Sequence, residues 1–315
     1  MSVTALPWHS AAWARLIAMV QNNRLPHAIL LTAPSGSGRR QFADALCGYL
    51  ICRGDAARPC GQCKQCLLYD SGNHPDVMVL APEESSKNIK IEQVRRAIQF
   101  VAQTSNQADA TKLIIVQPAE GLGNAAANSL LKSLEEPPGK TLFILIAEPG
   151  ANLLPTIRSR CQPLVLETAS DEQAMVWLTA HSSATPEHLR AALQLAPGRP
   201  LLALNLLEQG IPAWRSVLEQ NLLDLQQGKV SPVEIAKSAS TQPALRAIQC
   251  LQEINTNACL ALSMANKTEA LKVRLAFQQK LVPVIRQLSG TSNPNELLAL
   301  EYVFAEYSNV IARLD

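Results

Sequence analysis

Four cysteines, Cys52, Cys60, Cys63 and Cys66, follow the spacing C-x7-C-x2-C-x2-C. Thiolates two residues apart reach one ion from a tight turn, and four of them complete a tetrahedral Zn²⁺ site with no position left for water. Such a site is structural, and Gly61 helps the chain fold back inside it. Four free thiols are the plain alternative, and an iron–sulfur cluster is a weaker competitor. Cys47 could replace Cys52, but it lies five residues earlier in a helical pattern and would face away. Lys64 allows a nucleic-acid-binding ribbon, although a clip that fastens an insertion is the simpler reading.

A second group of residues has the layout of a phosphate-binding loop. Ala33-Pro34-Ser35-Gly36-Ser37-Gly38-Arg39-Arg40 lies between an apolar run, Ala28–Thr32, and a helical pattern over Gln41–Ile51. Strand, Gly-rich turn and helix are the context that such a loop requires. Ala33, Arg39 and Arg40 stand where a working loop has Gly, Lys and Ser/Thr. The Lys would reach the β- and γ-phosphates, and the hydroxyl would hold Mg²⁺. Arg39 can still touch a phosphate, whereas Arg40 cannot ligate a metal, and two guanidiniums would crowd a pocket built for one ammonium. The apolar run Leu113–Val116 ends in Gln117-Pro118, where an ATPase of this kind has an Asp for Mg²⁺ and often a Glu for water. Leu142–Ile146 lacks a polar tip at Ala147. These losses remove one function together. Hydrolysis is not expected, and no cofactor is expected at Ala33, Gly36, Gly38, Arg39 or Arg40. The plain alternative is a strand–turn–helix with two solvated arginines.

A third stretch, Leu153–Cys161, closes on Arg158-Ser159-Arg160-Cys161 after a short helical pattern. A guanidinium there stays charged and presents a planar fork of donors to phosphate oxygens. Since the chain's own loop is degenerate, the phosphates it serves must be sought elsewhere.

The elements that position these groups follow from periodicity. The chain has 315 residues, which sets a prior of two or three domains. It is 47% hydrophobic but only 4% aromatic, so Leu and Ala carry the apolar load, favouring helices. A net charge of +2 gives no case for nucleic acid by itself. No apolar run reaches the ~18 residues of a membrane span. Met1–Trp8 shows no signal-peptide pattern, so the eight cysteines are expected in a reducing cytosol, where clustered thiols suggest metal.

Trp8–Val20 reads as an amphipathic helix, broken at Leu25-Pro26-His27. Strands are expected at Ala28–Thr32, Val77–Leu80, Leu113–Val116, Leu142–Ile146 and Pro163–Leu166, with a polar loop at Pro82–Ile89. Helices are expected at Ile91–Gln103, with Arg95 and Arg96 on the solvent face, and at Asn124–Glu136, stopped by Pro137-Pro138. Ser170–Ala180, Pro186–Leu195 and Leu201–Leu207 form a small three-helix unit, and Gly210–Pro212 reads as a linker. The remainder is helical: Ala213–Gln227, Pro232–Ser238, Pro243–Met264, Glu269–Leu288 and Asn295–Leu314. Leu297, Leu300, Phe304, Tyr307, Ile311 and Leu314 form a packing seam on the last helix.

Several local runs match one family in its own order. They are Arg24-Leu25-Pro26-His27-Ala28, the degenerate loop, the cysteine module, His74-Pro75-Asp76, Ile91-Glu92-Gln93-Val94-Arg95, Asn128-Ser129-Leu130-Leu131-Lys132-Ser133-Leu134-Glu135-Glu136-Pro137-Pro138, and Ser159-Arg160-Cys161. On these the chain resembles the clamp-loader subunits of bacterial DNA polymerase III, within the AAA+ class. The motifs cover roughly the first half of the chain, and beyond them the likeness is one of domain plan.

The resemblance implies an α/β P-loop (AAA+, RecA-like) domain over 1–166 with a zinc module at about 52–68. It implies a helical lid domain over 167–209 and an all-α collar for oligomerisation over 210–315. It further implies a non-hydrolysing subunit of the holoenzyme that scaffolds tau/gamma-type ATPase subunits, beside a delta subunit, and helps load the sliding clamp onto primed DNA. Arg160 would act in trans as an arginine finger at a neighbour's ATP site, with Arg158 beside it. Gln117 departs even from relatives that retain an Asp there, and Arg199 lies out of register with the family's lid arginine. A nucleic-acid-binding zinc protein, or an ATPase with Arg39 in place of Lys, are the alternatives.

Overall fold

The computed structural model describes residues 5–54, 58–83, 86, 88–103, 110–290 and 294–312. The chain divides into two compact units, Met1–Leu207 and Glu208–Asp315.

The first unit is built on five parallel strands: β1 (Ala28–Thr32), β2 (Val77–Leu80), β3 (Lys112–Val116), β4 (Thr141–Ala147) and β5 (Gln162–Val165). Their spatial order is β2-β3-β4-β1-β5. The central strands are continuous apolar runs because helices cover both faces of the sheet. Alternate residues divide between two cores, as the strand period of two requires. Leu30, Ile114, Val116, Phe143 and Leu145 pack on one side with Val94, Leu130, Leu134 and Ile157. Ile29, Leu31, Leu113, Ile115, Ile144 and Ile146 pack on the other with Leu16, Phe42 and Leu46.

The helices of this unit are α1 (Ser10–Gln21), α2 (Arg39–Ile51), α3 (Lys64–Asp70), α4 (Ile91–Ala102), α5 (Asn124–Glu135), α6 (Pro155–Arg158), α7 (Asp171–His181), α8 (Pro186–Leu195) and α9 (Pro200–Glu208). A 3₁₀ turn at Pro7–His9 precedes α1, so the first amphipathic pattern is a turn and a helix rather than one helix. Ser170 caps α7 with a reciprocal bond to Gln173, and Thr185 caps α8, at the two expected starts. Leu178, Leu189, Ala192, Ala196 and Ala203 give these last helices a small core of their own. Arg95 and Arg96 are exposed on α4. Residues 84, 85 and 87 of the polar loop lie outside the described residues.

At the start of β3, Lys112 is buried with a carboxylate. Its Nζ lies 3.2 Å from Asp76 Oδ1, with the two side chains 6% and 3% exposed. The same Nζ sits 4.2 Å from the centre of the Phe100 ring. Removing the cation from such a buried pair is costly, so Lys112→Met is expected to lower the stability of this unit by roughly 3–5 kcal/mol. Urea unfolding of the chain measures it, and a change below 1 kcal/mol would mean that Asp76 finds other partners.

The second unit is helical: α10 (Ile211–Gln226), α11 (Pro232–Ala239), α12 (Ala244–Met264), α13 (Thr268–Ser289) and α14 (Glu296–Ile311). The linker expected at Gly210–Pro212 shrinks to Gly210, which sits at φ +68° before α10, while Ile211 and Pro212 are buried in its first turn. Proline at the first helical positions needs no partner for its missing N–H, which is why the helix starts early. Leu300, Phe304, Tyr307 and Ile311 pack within this unit against Ile248, Leu251, Phe277 and Leu281. Leu297, the first residue of the expected seam, is 38% exposed, and Leu314 lies outside the described residues. Among the described residues no helix is long and apolar enough to cross a membrane.

Candidate functional site

β3, β4 and β1 are neighbours, so the residues that follow each of them meet at one edge of the sheet. The carboxyl edge of a parallel sheet is the usual place for a ligand crevice. Here it is filled by the chain itself. Gly36 and Gly38 turn the loop at φ +80° and +101°, a region that only glycine enters easily. A Cβ at Gly36 would lie 2.3 Å from Leu202 Cβ, and one at Gly38 would lie 2.1 Å from Leu6 Cδ1. The loop is therefore covered from two directions. Trp8 Nε1 donates to the Ser37 carbonyl at 2.8 Å, and the Leu201 amide donates to the Gly36 carbonyl at 3.1 Å.

Two of the donors that would greet a phosphate, the Ser35 amide and the Arg39 guanidinium, are also taken. The Ser35 amide donates to Glu148 Oε2 at 3.2 Å. Arg39 Nη2 lies 2.6 Å from Glu148 Oε1, and its Nη1 donates to the Ala33 carbonyl at 3.0 Å. Glu148 is the residue immediately after β4. Ala147 does lack a polar tip, as expected, but a carboxylate one position further on reaches the loop. Arg40 turns the other way. Its Nε donates to both oxygens of Asp44 at 2.9 Å, and its Nη1 donates to Gln117 Oε1 at 3.3 Å. The two guanidiniums thus diverge, and the crowding expected from their sequence positions does not arise. Arg40 and Gln117, at the two positions where an ATPase would hold Mg²⁺, bond to each other instead.

The four cysteines come together as their spacing demands. The Sγ atoms of Cys52, Cys60, Cys63 and Cys66 all lie within 4.8 Å of one another. Cys60 and Cys66 are 3.9 Å apart, close to the edge of about 3.8 Å that a tetrahedron of Zn–S bonds near 2.3 Å requires. Amides of Gly54 and Cys60 point at Cys52 Sγ, at 3.4 and 3.3 Å, and the Cys63 amide points at Cys60 Sγ at 3.3 Å. Such donors stabilise thiolate, and the amides of Gln62 and Cys63 hold the Cys60 thiol below its ordinary pKa. A Cβ at Gly54 would come within 2.8 Å of Cys60 Sγ, so only glycine leaves room for the sulfur. The donor set fits a structural Zn²⁺ held by these four residues. Cys47 is buried in the core beside Phe42 and Leu46, and burial pushes its thiol up to about 12.

The module has a mechanical connection that spacing alone did not reveal. Cys63 precedes α3 and Cys66 lies within it, a helix absent from the sequence expectation. From α3, the Tyr69 hydroxyl donates to Asp44 Oδ1 at 2.8 Å. Asp44 is the same carboxylate that holds Arg40. The thiolate cluster therefore fastens α3 against the start of α2.

Arg158 and Arg160 lie at the opposite edge of the sheet from the loop. β1 and β5 pair in parallel, with Ile29 opposite Gln162 and Thr32 opposite Val165. Arg160 comes just before β5, whereas the loop comes just after β1. The intervening strand puts them at least about 10 Å apart along the sheet. Arg160 Nε donates to Glu135 Oε1 at 2.6 Å, its Nη2 meets the same oxygen, and its Nη1 donates to the Thr156 carbonyl at 2.9 Å. Arg158 Nη2 donates to the Ala151 carbonyl. Between the arginines and β5, Cys161 is buried, and its thiol is pushed up to about 12 by that burial. It anchors the turn rather than reacting. Arg199 Nη2 lies 3.5 Å from the carbonyl of Leu195, the last residue of α8.

The family described as DNA polymerase III, delta subunit, matches residues 8–170, from the 3₁₀ turn to the cap of α7. DNA polymerase III subunit delta' of Pseudomonas aeruginosa is 38% identical over 239 residues, covering 75% of this chain and 72% of its own length. The protein of the same name from Haemophilus influenzae is 40% identical over 209 residues, 66% of this chain and 63% of that one. The one from Yersinia pestis is 32% identical over 300 residues, 93% and 86% of the two chains. Among solved structures, a DNA polymerase III gamma subunit-related protein of Thermotoga maritima shares the fold at a TM-score of 0.50 and 18% identity, covering 94% of this chain and 99% of its own. By the family match and these identities together, the chain belongs to the DNA polymerase III delta subunit family, with the delta' subunits as its relatives.

Proposed function

We propose that this chain is a non-hydrolysing, delta-prime-type subunit of the DNA polymerase III clamp loader, and that it serves DNA replication by supplying Arg160 in trans to a neighbour's ATP. The observation that carries the reading is the placement of two features on opposite edges of one sheet. The chain's own phosphate loop is closed by Glu148, Leu6 and Leu202, while its half-buried Arg160 lies at the other end of the strands from that loop. An arginine so placed cannot serve its own site and is free to serve another.

The division of labour then follows. Residues 1–166 form the AAA+-type domain, 167–209 the lid and 210–315 the collar through which the subunit joins tau/gamma-type ATPase subunits and a delta subunit. The sliding clamp and primed DNA are engaged through the assembly. Zn²⁺ on the four cysteines is structural, and ATP is neither held nor split by this chain. In a neighbour's site, a guanidinium neutralises the charge that develops on the transferred phosphoryl group.

The test is ATP binding and Mg²⁺-dependent turnover by the purified, zinc-loaded chain, followed by mixing with tau/gamma-type and delta subunits. No turnover and a co-eluting complex are expected. Glu148→Ala is expected to leave turnover absent, because Arg40 and Gln117 supply no Mg²⁺ ligand. Turnover by the pure chain would mean that an active ATP site exists in it, and failure to enter the complex would remove the clamp-loader role.

A further inference from the structure

The structure assigns Glu135 the role of positioning residue for Arg160, holding the guanidinium in the pose from which it meets a neighbour's phosphate. This inference rests on the trans role proposed for Arg160.

Glu135 is the last residue of α5. A helix C-terminus carries partial negative charge and favours cations, so a carboxylate there is unfavourable for the helix itself. It needs a cation from elsewhere, and Arg160 provides it. Nε and Nη2 of Arg160 both converge on Glu135 Oε1, which fixes one edge of the planar guanidinium. Nη1 is held by the Thr156 carbonyl at 2.9 Å. A guanidinium has five N–H donors. Three of them set its plane, Nη1 makes a long further contact with Ser159 Oγ at 3.5 Å, and the remaining Nη2 donor is left for an incoming oxygen. Without Glu135 the long side chain would be tied at one end only and would lose orientation.

The carboxylate is itself fixed by a third part of the chain. The His27 ring nitrogen Nε2 bonds to the Leu134 carbonyl at 2.7 Å, one residue before Glu135. His27 directly precedes β1, and its carbonyl accepts from the Phe143 amide at 2.8 Å. Leu130 and Leu134 bury the other face of α5. Three sequence runs therefore meet at one place: Arg24–Ala28, Asn128–Pro138 and Ser159–Cys161. Their shared product is a guanidinium of fixed direction.

The experiment is a double-mutant cycle in the rebuilt complex, reading ATP turnover with clamp and primed DNA. Glu135→Ala is expected to lower the single-turnover rate at the site that Arg160 serves about two- to fivefold, the range that orientation by a partly exposed ion pair supports, with ATP affinity unchanged. Glu135→Gln, which keeps an acceptor oxygen, is expected to recover part of that loss. On an Arg160→Ala background, Glu135→Ala is expected to change nothing further. An unaltered rate in Glu135→Ala, or an equal loss on the Arg160→Ala background, would overturn the positioning role while leaving Arg160 intact. An unaltered rate in Arg160→Ala alone would instead overturn the trans role on which this inference depends.

Discussion

Replacing Arg160 with alanine is expected to cut ATP turnover at the neighbouring site it serves by at least about 10³-fold, the scale of an arginine finger. The loss in the whole complex is smaller, because sites served by other arginines continue. Steady-state turnover of the rebuilt loader therefore falls by that one site's share, and single-turnover measurement isolates the site itself. Assembly is expected to survive. The Arg160 side chain is 29% exposed, and the residues that hold its turn in place, Ile157 and Cys161, remain buried. Arg160→Lys is expected to recover little. Lysine keeps the charge but offers no planar fork, so it could not keep Glu135 on one edge and meet a phosphate on another. Arg158→Ala is expected to matter less, since that guanidinium is tied to the Ala151 carbonyl of its own chain. An intact complex with undiminished turnover would take the finger role away from Arg160.

Metal analysis is expected to find about one zinc per chain, and Cys63→Ser to lose it. Structural zinc contributes about 10–16 kcal/mol of apparent binding energy in small finger peptides, so its removal is a large local perturbation. Its reach here is bounded by the architecture. The sheet cores contain none of the four ligands. Chelation is therefore expected to release α3 and residues near it while the strands stay protected. The Tyr69–Asp44 bond is lost with α3, and Asp44 is left to Arg40. Zinc binds thiolate, so acid competes with it: occupancy is expected to fall as pH drops and protons return to sulfur. Hydrogen exchange with and without chelator measures the extent. A metal-free chain with an unchanged exchange pattern over residues 52–70 would end the zinc assignment.

Much of the first unit could be read in the sequence because its physics is local. Leu113–Val116 and Leu142–Ile146 are buried on both faces, which writes them as unbroken apolar runs. Ser170 and Thr185 mark helix starts because a side-chain oxygen there satisfies a backbone N–H. The cysteine spacing was legible because a metal site is a matter of reach from tight turns. What could not be read depended on contacts far apart in sequence. Glu148 carries no mark of its role in the sequence, since nothing near it reveals Ser35 and Arg39. The divergence of Arg39 and Arg40 needed Asp44, Gln117 and Glu148 in view together. Leu6 and Leu202 close the loop from opposite ends of the unit, and Leu202 belongs to a helix that reads as ordinary packing. Pro212 was read as a linker signal when it was the first turn of a helix, because proline suits both. Glu135 stands in the sequence only as one acid of the run Asn128–Pro138. The signal that could have singled it out was its sign, an acid at a helix end that favours a base.

A loop of this kind in a working ATPase is a sensor: its shape reports whether triphosphate, diphosphate or nothing is bound. Glu148 changes that for this chain. A carboxylate held on the adjacent strand end does not diffuse away, and its effective concentration at Ser35 and Arg39 is set by the fold rather than by the cell. The loop therefore reads one constant input. A loop held in this way by its own chain is expected to keep one conformation whether nucleotide is present or not.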